Sequence, residues 1–372
     1  VDLGLQQRVV ALLEEADISV GGQREQDITV HDPHFHARVL AHGSLGLGES
    51  YMDGCWDAVR LDAFLFQLMQ ARIDERVHGM GELVDALKAR LFNLQAGKGS
   101  YEVGRRHYDL GNDLYQAMLG RWMVYSCGYW RQAADLDQAQ EAKLDLVCRK
   151  LRLQPGQRVL DIGCGWGEAL KFAAERYGVQ GVGITISVEQ AEHARRLCAG
   201  LPVEIRLQDY HQLDEPFDAI LSLGMFEHVG EKNYRDYFQV VRRCLRPQGL
   251  FLLHTIGTNV SRHRTDPWIA RYIFPNSMLP SAAQIASASE GLFVLEDWHN
   301  FGTDYDRTLQ AWWSNIQAAW PRLDALRYDQ RFRRMWHFYL AGSMATFRSR
   351  RAQLWQLVLS PEGVPGGYRA PR

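Results

Sequence analysis

Apolar positions recur at two different spacings along the chain. Leu5, Val9, Val10, Leu12 and Leu13 fall on one helical face. Residues 33–40, 61–71 and 83–94 repeat that helical spacing, and 27–30 reads as a short strand. The stretch Gln95-Ala-Gly-Lys-Gly-Ser100 is small and polar, which suits a linker. A mainly helical N-terminal domain is therefore expected over residues 1–98, and a second domain over 99–372. From residue 140 onward strands alternate with helices. Strands are expected at 158–162, 179–184, 203–207, 219–223 and 249–255, with helices to Tyr177, at 187–199 and at 234–245. That alternation predicts an α/β fold with a doubly wound, mostly parallel sheet. Two late strands, 292–298 and 354–359, flank a long helical insert and bring the expected sheet to seven strands.

The segment Asp161-Ile-Gly163-Cys164-Gly165-Trp-Gly167 closes the first strand of that series. Its glycines allow a tight turn and a close backbone approach to a ligand. Free amides and the next helix N-terminus can meet an anionic group. A dinucleotide pyrophosphate and a methionine carboxylate both satisfy that requirement. Two features separate them. Asp161 at the start of the turn suits a ligand with a cationic amino group. A nicotinamide site wants an acidic residue at the end of the second strand, where this chain has Gly183-Ile-Thr185-Ile-Ser187. Thr185, Ser187 and Gln190 are left to meet a ribose, and Gln208-Asp209 after the third strand to meet an adenine. The ligand expected is S-adenosylmethionine, and an antiparallel final hairpin is the methyltransferase variant of this sheet.

Composition adds limits. Hydrophobic residues make up 46% and charged residues 23% of the 372, a globular balance. The formal net charge of −2 points to no nucleic acid. The six cysteines form no Cys-x-x-Cys pair and no zinc-type cluster, so a reduced cytoplasmic protein without a metal is expected. No run is long and apolar enough for a membrane span, and nothing at the start reads as a signal peptide.

Several segments together resemble the cyclopropane-fatty-acyl-phospholipid synthase family. They are His107-Tyr-Asp-Leu-Gly-Asn112, Tyr125-Ser126-Cys127, the glycine turn, Gly183–Ser187, Gly224-Met-Phe-Glu227-His-Val-Gly230 and His254-Thr-Ile256. The likeness extends to Gly43–Asp53, to Asp297–Gly302 and to Gln353-Leu-Trp-Gln356. It implies an S-adenosylmethionine-dependent methyltransferase with a Rossmann-like sheet. A methylene unit would pass to a cis double bond of an unsaturated phospholipid acyl chain. A carbocation would form there and lose a proton to bound bicarbonate. The resemblance makes Glu227, His254, Tyr305 and Cys127 the catalytic set, with the backbone at Cys127 and Ile256 completing the bicarbonate cage. It places Tyr125, Ser126, Asp161, Gly163, Cys164, Gly165, Gly167, Thr185, Ser187, Gln190, Gln208, Asp209 and Gly224 around the cofactor. It further implies a homodimer, cytoplasmic and peripherally associated with the inner face of the cell membrane.

One position departs from the family pattern: Glu168 stands where a further glycine is more usual. Its charge suits the helix dipole by about 0.3–1 kcal/mol but faces the expected site of the methionine carboxylate. For membrane docking, Arg262-His-Arg264, Arg331-Phe-Arg-Arg334 and Arg348-Ser-Arg-Arg351 are the basic clusters expected to attract anionic headgroups. The N-terminal helices could serve lipid docking or dimerisation. A sibling reaction, giving a methyl-branched or methylene acyl chain, is the alternative on the same alkene.

Overall fold

The computed structural model describes residues 3–73 and 111–372. The expected helix 83–94, the linker, the 98/99 boundary and His107 to Leu110 lie outside them. The chain packs as two compact units. One joins the N-terminal residues to Arg264–Pro275 and Leu309–Ala352, so two later segments fold with the N-terminal part. The other takes up the rest.

The N-terminal segment contains α1 (Leu3–Glu15), β1 (Ile28–Val30), α2 (His34–Met52), β2 (Trp56–Ala58) and α3 (Leu61–Gln70). β1 and β2 pair antiparallel, with Thr29 opposite Asp57. α2 runs twelve residues past the expected end at 40. Gly43 interrupts it with φ 55°, ψ −128°, a kink that a residue with a Cβ strongly disfavours. The glycines at 43, 46 and 48 hid this second half from a periodicity reading.

The other unit opens with α4 (Asn112–Leu119) and α5 (Leu136–Lys150). Its sheet contains β3 (Arg158–Ile162), β4 (Gln180–Thr185), β5 (Val203–Leu207), β6 (Phe217–Leu223), β7 (Leu245–Thr258), β8 (Val294–Asn300) and β9 (Ala352–Ser360). The strand order is β5-β4-β3-β6-β7-β9-β8. β3 pairs parallel with β4 and with β6, and β8 pairs antiparallel with β9. β3 is buried on both faces at Val159, Leu160 and Ile162, which is why it reads as one apolar run. Helices α6 (Glu168–Tyr177), α7 (Val188–Leu197) and α8 (Tyr234–Cys244) connect the parallel strands. The order reverses beside β3, and that switch point opens a crevice at the strands' carboxyl ends.

After β7 come α9 (Pro267–Tyr272), α10 (Ala282–Ser289), α11 (Thr303–Ala319) and α12 (Gln330–Arg348). α12 packs on α2 and α3, and its arginines brace that contact. Arg334 donates to the Tyr51 and Trp56 carbonyls, pairs with Asp57 at 2.8 Å and lies 3.9 Å above the Tyr51 ring. Arg331 pairs with Asp53, Arg348 with Asp62, and Arg351 donates to the Met69 carbonyl. Two of the three expected docking clusters are thus engaged inside their own unit. All six cysteines are free and buried, Cys55 in the first unit and the other five in the second.

Arg334→Ala removes the donor from two carbonyls, a loss of about 1–3 kcal/mol. A lower urea midpoint with unchanged binding to anionic vesicles is the expected result.

Candidate active site

The crevice beside β3 is built from backbone first. Gly163 and Cys164 N–H groups donate to the Ile184 carbonyl at 3.0 and 2.9 Å, which pins the turn to β4. Gly167 adopts φ +94° and begins α6, its α-carbon packed towards Ala194. A Cβ built on Gly165 would meet nothing within 4 Å, so the turn leaves open space there. Three amides of the turn, those of Gly163, Cys164 and Gly167, serve the turn itself. Contact with an anion therefore falls to the remaining turn residues and the α6 N-terminus.

A cleft follows this crevice. Tyr125, Ser126, Asp161, Gly163, Cys164, Gly165, Thr185, Ser187, Gln190, Gln208, Asp209 and Gly224 all line it. Gly167 does not, because it packs into the α6–α7 contact. Thr185 donates to Gln190 Oε1 at 2.9 Å, and Ser187 Oγ caps α7 by accepting from Gln190 N–H at 3.3 Å. Gln190 can therefore offer a ligand its amide N–H groups rather than its oxygen. Asp209 Oδ1 accepts from the His211 backbone at 3.0 Å, so its other oxygen is the one available to a ligand amine. Tyr115 packs between Tyr125 and Trp166, with ring centroids 5.3 and 5.1 Å away. Trp166 Nε1–H is held by Asn112 Oδ1 at 3.0 Å.

Charges in the cleft are suppressed by burial. Asp161 is 2% exposed and its Oδ1 has no hydrogen-bond partner among the described residues. Desolvation raises its carboxyl to about 7, against a smaller opposite pull from Lys143. Glu168 also lines the cleft and is raised to about 7 by desolvation. Lys143, on α5, is fully buried and donates to Ser126 Oγ at 2.9 Å; burial lowers it to about 7. Nothing in the sequence marks Lys143, because lysine is ordinarily a surface residue.

An orphaned carboxyl oxygen beside an open glycine turn suits a ligand that donates an N–H, and a cationic one most. The amino group of S-adenosylmethionine is such a donor, and Gln190 and Asp209 line the same cleft. The residues fit the cofactor.

Beyond Gly224 stands a second group of side chains. Gly224 N–H donates to the His254 carbonyl at 2.9 Å, which joins the cleft to β7. Glu227 is 6% exposed; its Oε1 accepts from Ile256 N–H at 2.7 Å and its Oε2 has no partner among the described residues. Desolvation raises Glu227 to about 7. The Ile256 amide, expected to face an anion directly, is directed to Glu227 instead. His254 is fully buried, and desolvation holds it well below the usual imidazole value. Cys127 is fully buried, and desolvation raises its thiol, which disfavours the thiolate. Thr308 on α11 accepts from Gly128 N–H at 3.1 Å and from Trp130 Nε1–H at 2.9 Å, fixing the Cys127 segment. Asp304 accepts from Trp130 N–H at 2.7 Å, and the buried Tyr305 follows it in the first turn of α11. Phe301 meets the rings of His254 and Tyr129 at 6.0 and 5.3 Å. The structure thus brings the neighbourhoods of Cys127, His254 and Tyr305 together.

An acidic residue ahead of a glycine turn, at the switch point of a seven-stranded sheet with an antiparallel last strand, defines an S-adenosylmethionine-dependent methyltransferase. The chain belongs to the mycolic acid cyclopropane synthetase family, whose model matches residues 95–357. It is 52% identical to the cyclopropane-fatty-acyl-phospholipid synthase of Escherichia coli strain K12, over 97% of this chain and 94% of that protein. It is 33% identical to a tuberculostearic acid methyltransferase of Mycobacterium tuberculosis, over 92% of this chain and 85% of that one. A crystal structure of a mycolic acid cyclopropane synthase complexed with SAH and CTAB is 33% identical with a TM-score of 0.65, over 70% of this chain and 98% of that chain.

Cofactor binding favours the ionised form of Asp161, so below pH 7 binding should release a proton and affinity should rise towards pH 8. Calorimetry at pH 6 in two buffers of different ionisation enthalpy should show greater proton release for the wild type than for Asp161→Asn. Glu168→Gly removes a carboxylate from the cleft and should tighten cofactor binding. Equal or weaker affinity in the variant would count against repulsion by Glu168.

Proposed function

We propose that this enzyme is a cyclopropane-fatty-acyl-phospholipid synthase that uses bound bicarbonate as its base. Its substrate is a cis double bond in an unsaturated phospholipid acyl chain, and its products are the cyclopropane lipid and S-adenosylhomocysteine. The 52% identity with the Escherichia coli enzyme over 97% of the chain carries the reading. S-adenosylmethionine supplies an electrophilic methyl group when bound.

The chain's own part is positioning, dryness and proton handling. An alkene needs no side chain to activate it, so alignment in the cleft provides much of the acceleration. Positive charge on the acyl chain must be kept from water, and aromatic faces such as Phe301 and Tyr129 suit that task. Bicarbonate would be held by Glu227, His254 and Tyr305. Two observations support the fit: Glu227 Oε2 and His254 Nε2 are buried polar atoms without partners among the described residues. Glu227, near pH 7 in its ionisation, can share the anion's hydroxyl proton instead of repelling the anion. Ile256 acts one step back by orienting Glu227, and Cys127 contributes its backbone rather than its thiol.

A lipid substrate requires docking at a bilayer surface. No described helix is long and apolar enough to cross a membrane, and peripheral attachment at the cytoplasmic face of the cell membrane belongs to the same proposal. So does a homodimer, with lipid docking or pairing assigned to the N-terminal unit. Of the basic clusters, Arg262-His-Arg264 remains the candidate for headgroups, since Arg262 is exposed.

The match to a tuberculostearic acid methyltransferase favours a second reading, a methyl-branched or methylene acyl product. Vesicles of unsaturated phospholipid and labelled cofactor separate the two. A gain of one CH₂ with loss of the alkene signal means a ring; a gain with the alkene retained means the second reading; no label in lipid defeats both. Glu227→Ala should bind the cofactor as the wild type does and lose turnover by about 10²–10⁴-fold.

A further inference from the structure

A row of buried and half-buried polar side chains crosses the last three strands. Gln356 on β9 stands opposite His299 on β8 in the strand register. On its other side Gln356 Nε2–H donates to His254 Nδ1 on β7 at 3.2 Å. Lys150 Nζ repeats the arrangement at His299, donating to Nδ1 at 3.1 Å. His254 and Gln356 are both fully buried.

The direction of the Gln356 bond decides the imidazole's chemistry. An Nδ1 that accepts carries no proton, so the single proton of a neutral ring sits on Nε2. Burial and the positive charges of Lys143 and Lys150 keep the ring neutral. In the structure the Gln356 amide turns its nitrogen to the ring, and its carbonyl oxygen has no partner among the described residues; buried carbonyl oxygens go unpaired more readily than buried N–H groups. Phe301 packs edge-on at 6.0 Å and limits rotation of the ring.

We propose that Gln356 is a positioning residue: its carboxamide fixes His254 with Nδ1 as acceptor and Nε2–H as donor. His254 then binds an oxyanion by donation and takes no proton during the reaction. This assignment rests on the bicarbonate reading above. It leaves proton removal to the anion itself, because Nε2 is already protonated and Nδ1 is engaged.

The test uses the full chain labelled with ¹⁵N-histidine, without substrate, at pH 7. The His254 ring is assigned by its loss in His254→Gln. The expected spectrum shows an unprotonated Nδ1 and a protonated Nε2. Gln356→Met keeps the side chain's length without the amide. It should mix the two neutral tautomers and lower kcat by about 10–100-fold, with KM for the cofactor unchanged. Gln356→Glu should draw the proton to Nδ1. A wild-type ring protonated on Nδ1 or on both nitrogens overturns the proposal, as does Gln356→Met with wild-type spectrum and turnover. Should either variant fail to fold, the wild-type spectrum still decides the tautomer. Failure of the lipid reading registers separately, as absence of labelled lipid from the wild type.

Discussion

Removal of ionisable groups from water without an opposite charge beside them is the constraint on which this site depends. Asp161, Glu168 and Glu227 are all raised to about 7 by burial, and Lys143 is lowered to about 7. His254 is held neutral. Among the described residues none of these five has a close ion pair that would anchor its charge; Lys143 rests on a serine hydroxyl and Glu227 on a backbone amide. Each therefore sits near the balance between its two protonation states or firmly in the neutral one. A cationic cofactor entering such a site meets groups that can ionise to match it. The dry interior supplies that adaptability at the cost of stability, since every orphaned oxygen was solvated in the unfolded chain.

The parallel sheet is what makes the dryness possible. β3 lies between β4 and β6, covered on both faces, and its turn delivers Asp161 and the glycines to the reversal of strand order. β7 continues the same logic. Leu223 is registered with His254 and leads into Gly224, so the cofactor cleft and the second group of residues share one hydrogen-bonded seam.

Local pattern made much of this legible. Residues 158–162 and 203–207 form strands with the expected bounds, and the turn residues other than Gly167 line the cleft because glycine conformations and the αβ crossover dictate their place. The failures share one cause, long-range pairing. α5 carries no clear sequence pattern because Lys143 and Lys150 on its buried side break the apolar period. Their partners, Ser126 and His299, are distant in the chain. Arg334 and Arg348 read as a docking surface because Tyr51, Asp57 and Asp62 lie almost three hundred residues earlier. Gln356 and His254 stand 102 residues apart, and no spacing rule joins them.

The six buried thiols give the molecule a built-in clock. A thiol reagent reaches a buried cysteine only when the surrounding packing opens, so its rate of attack measures opening rather than reactivity. Cys55 reports on one unit and Cys127, Cys148, Cys164, Cys198 and Cys244 on the other. Counting modified cysteines over time, peptide by peptide, would therefore time the two units' unfolding separately in a single sample.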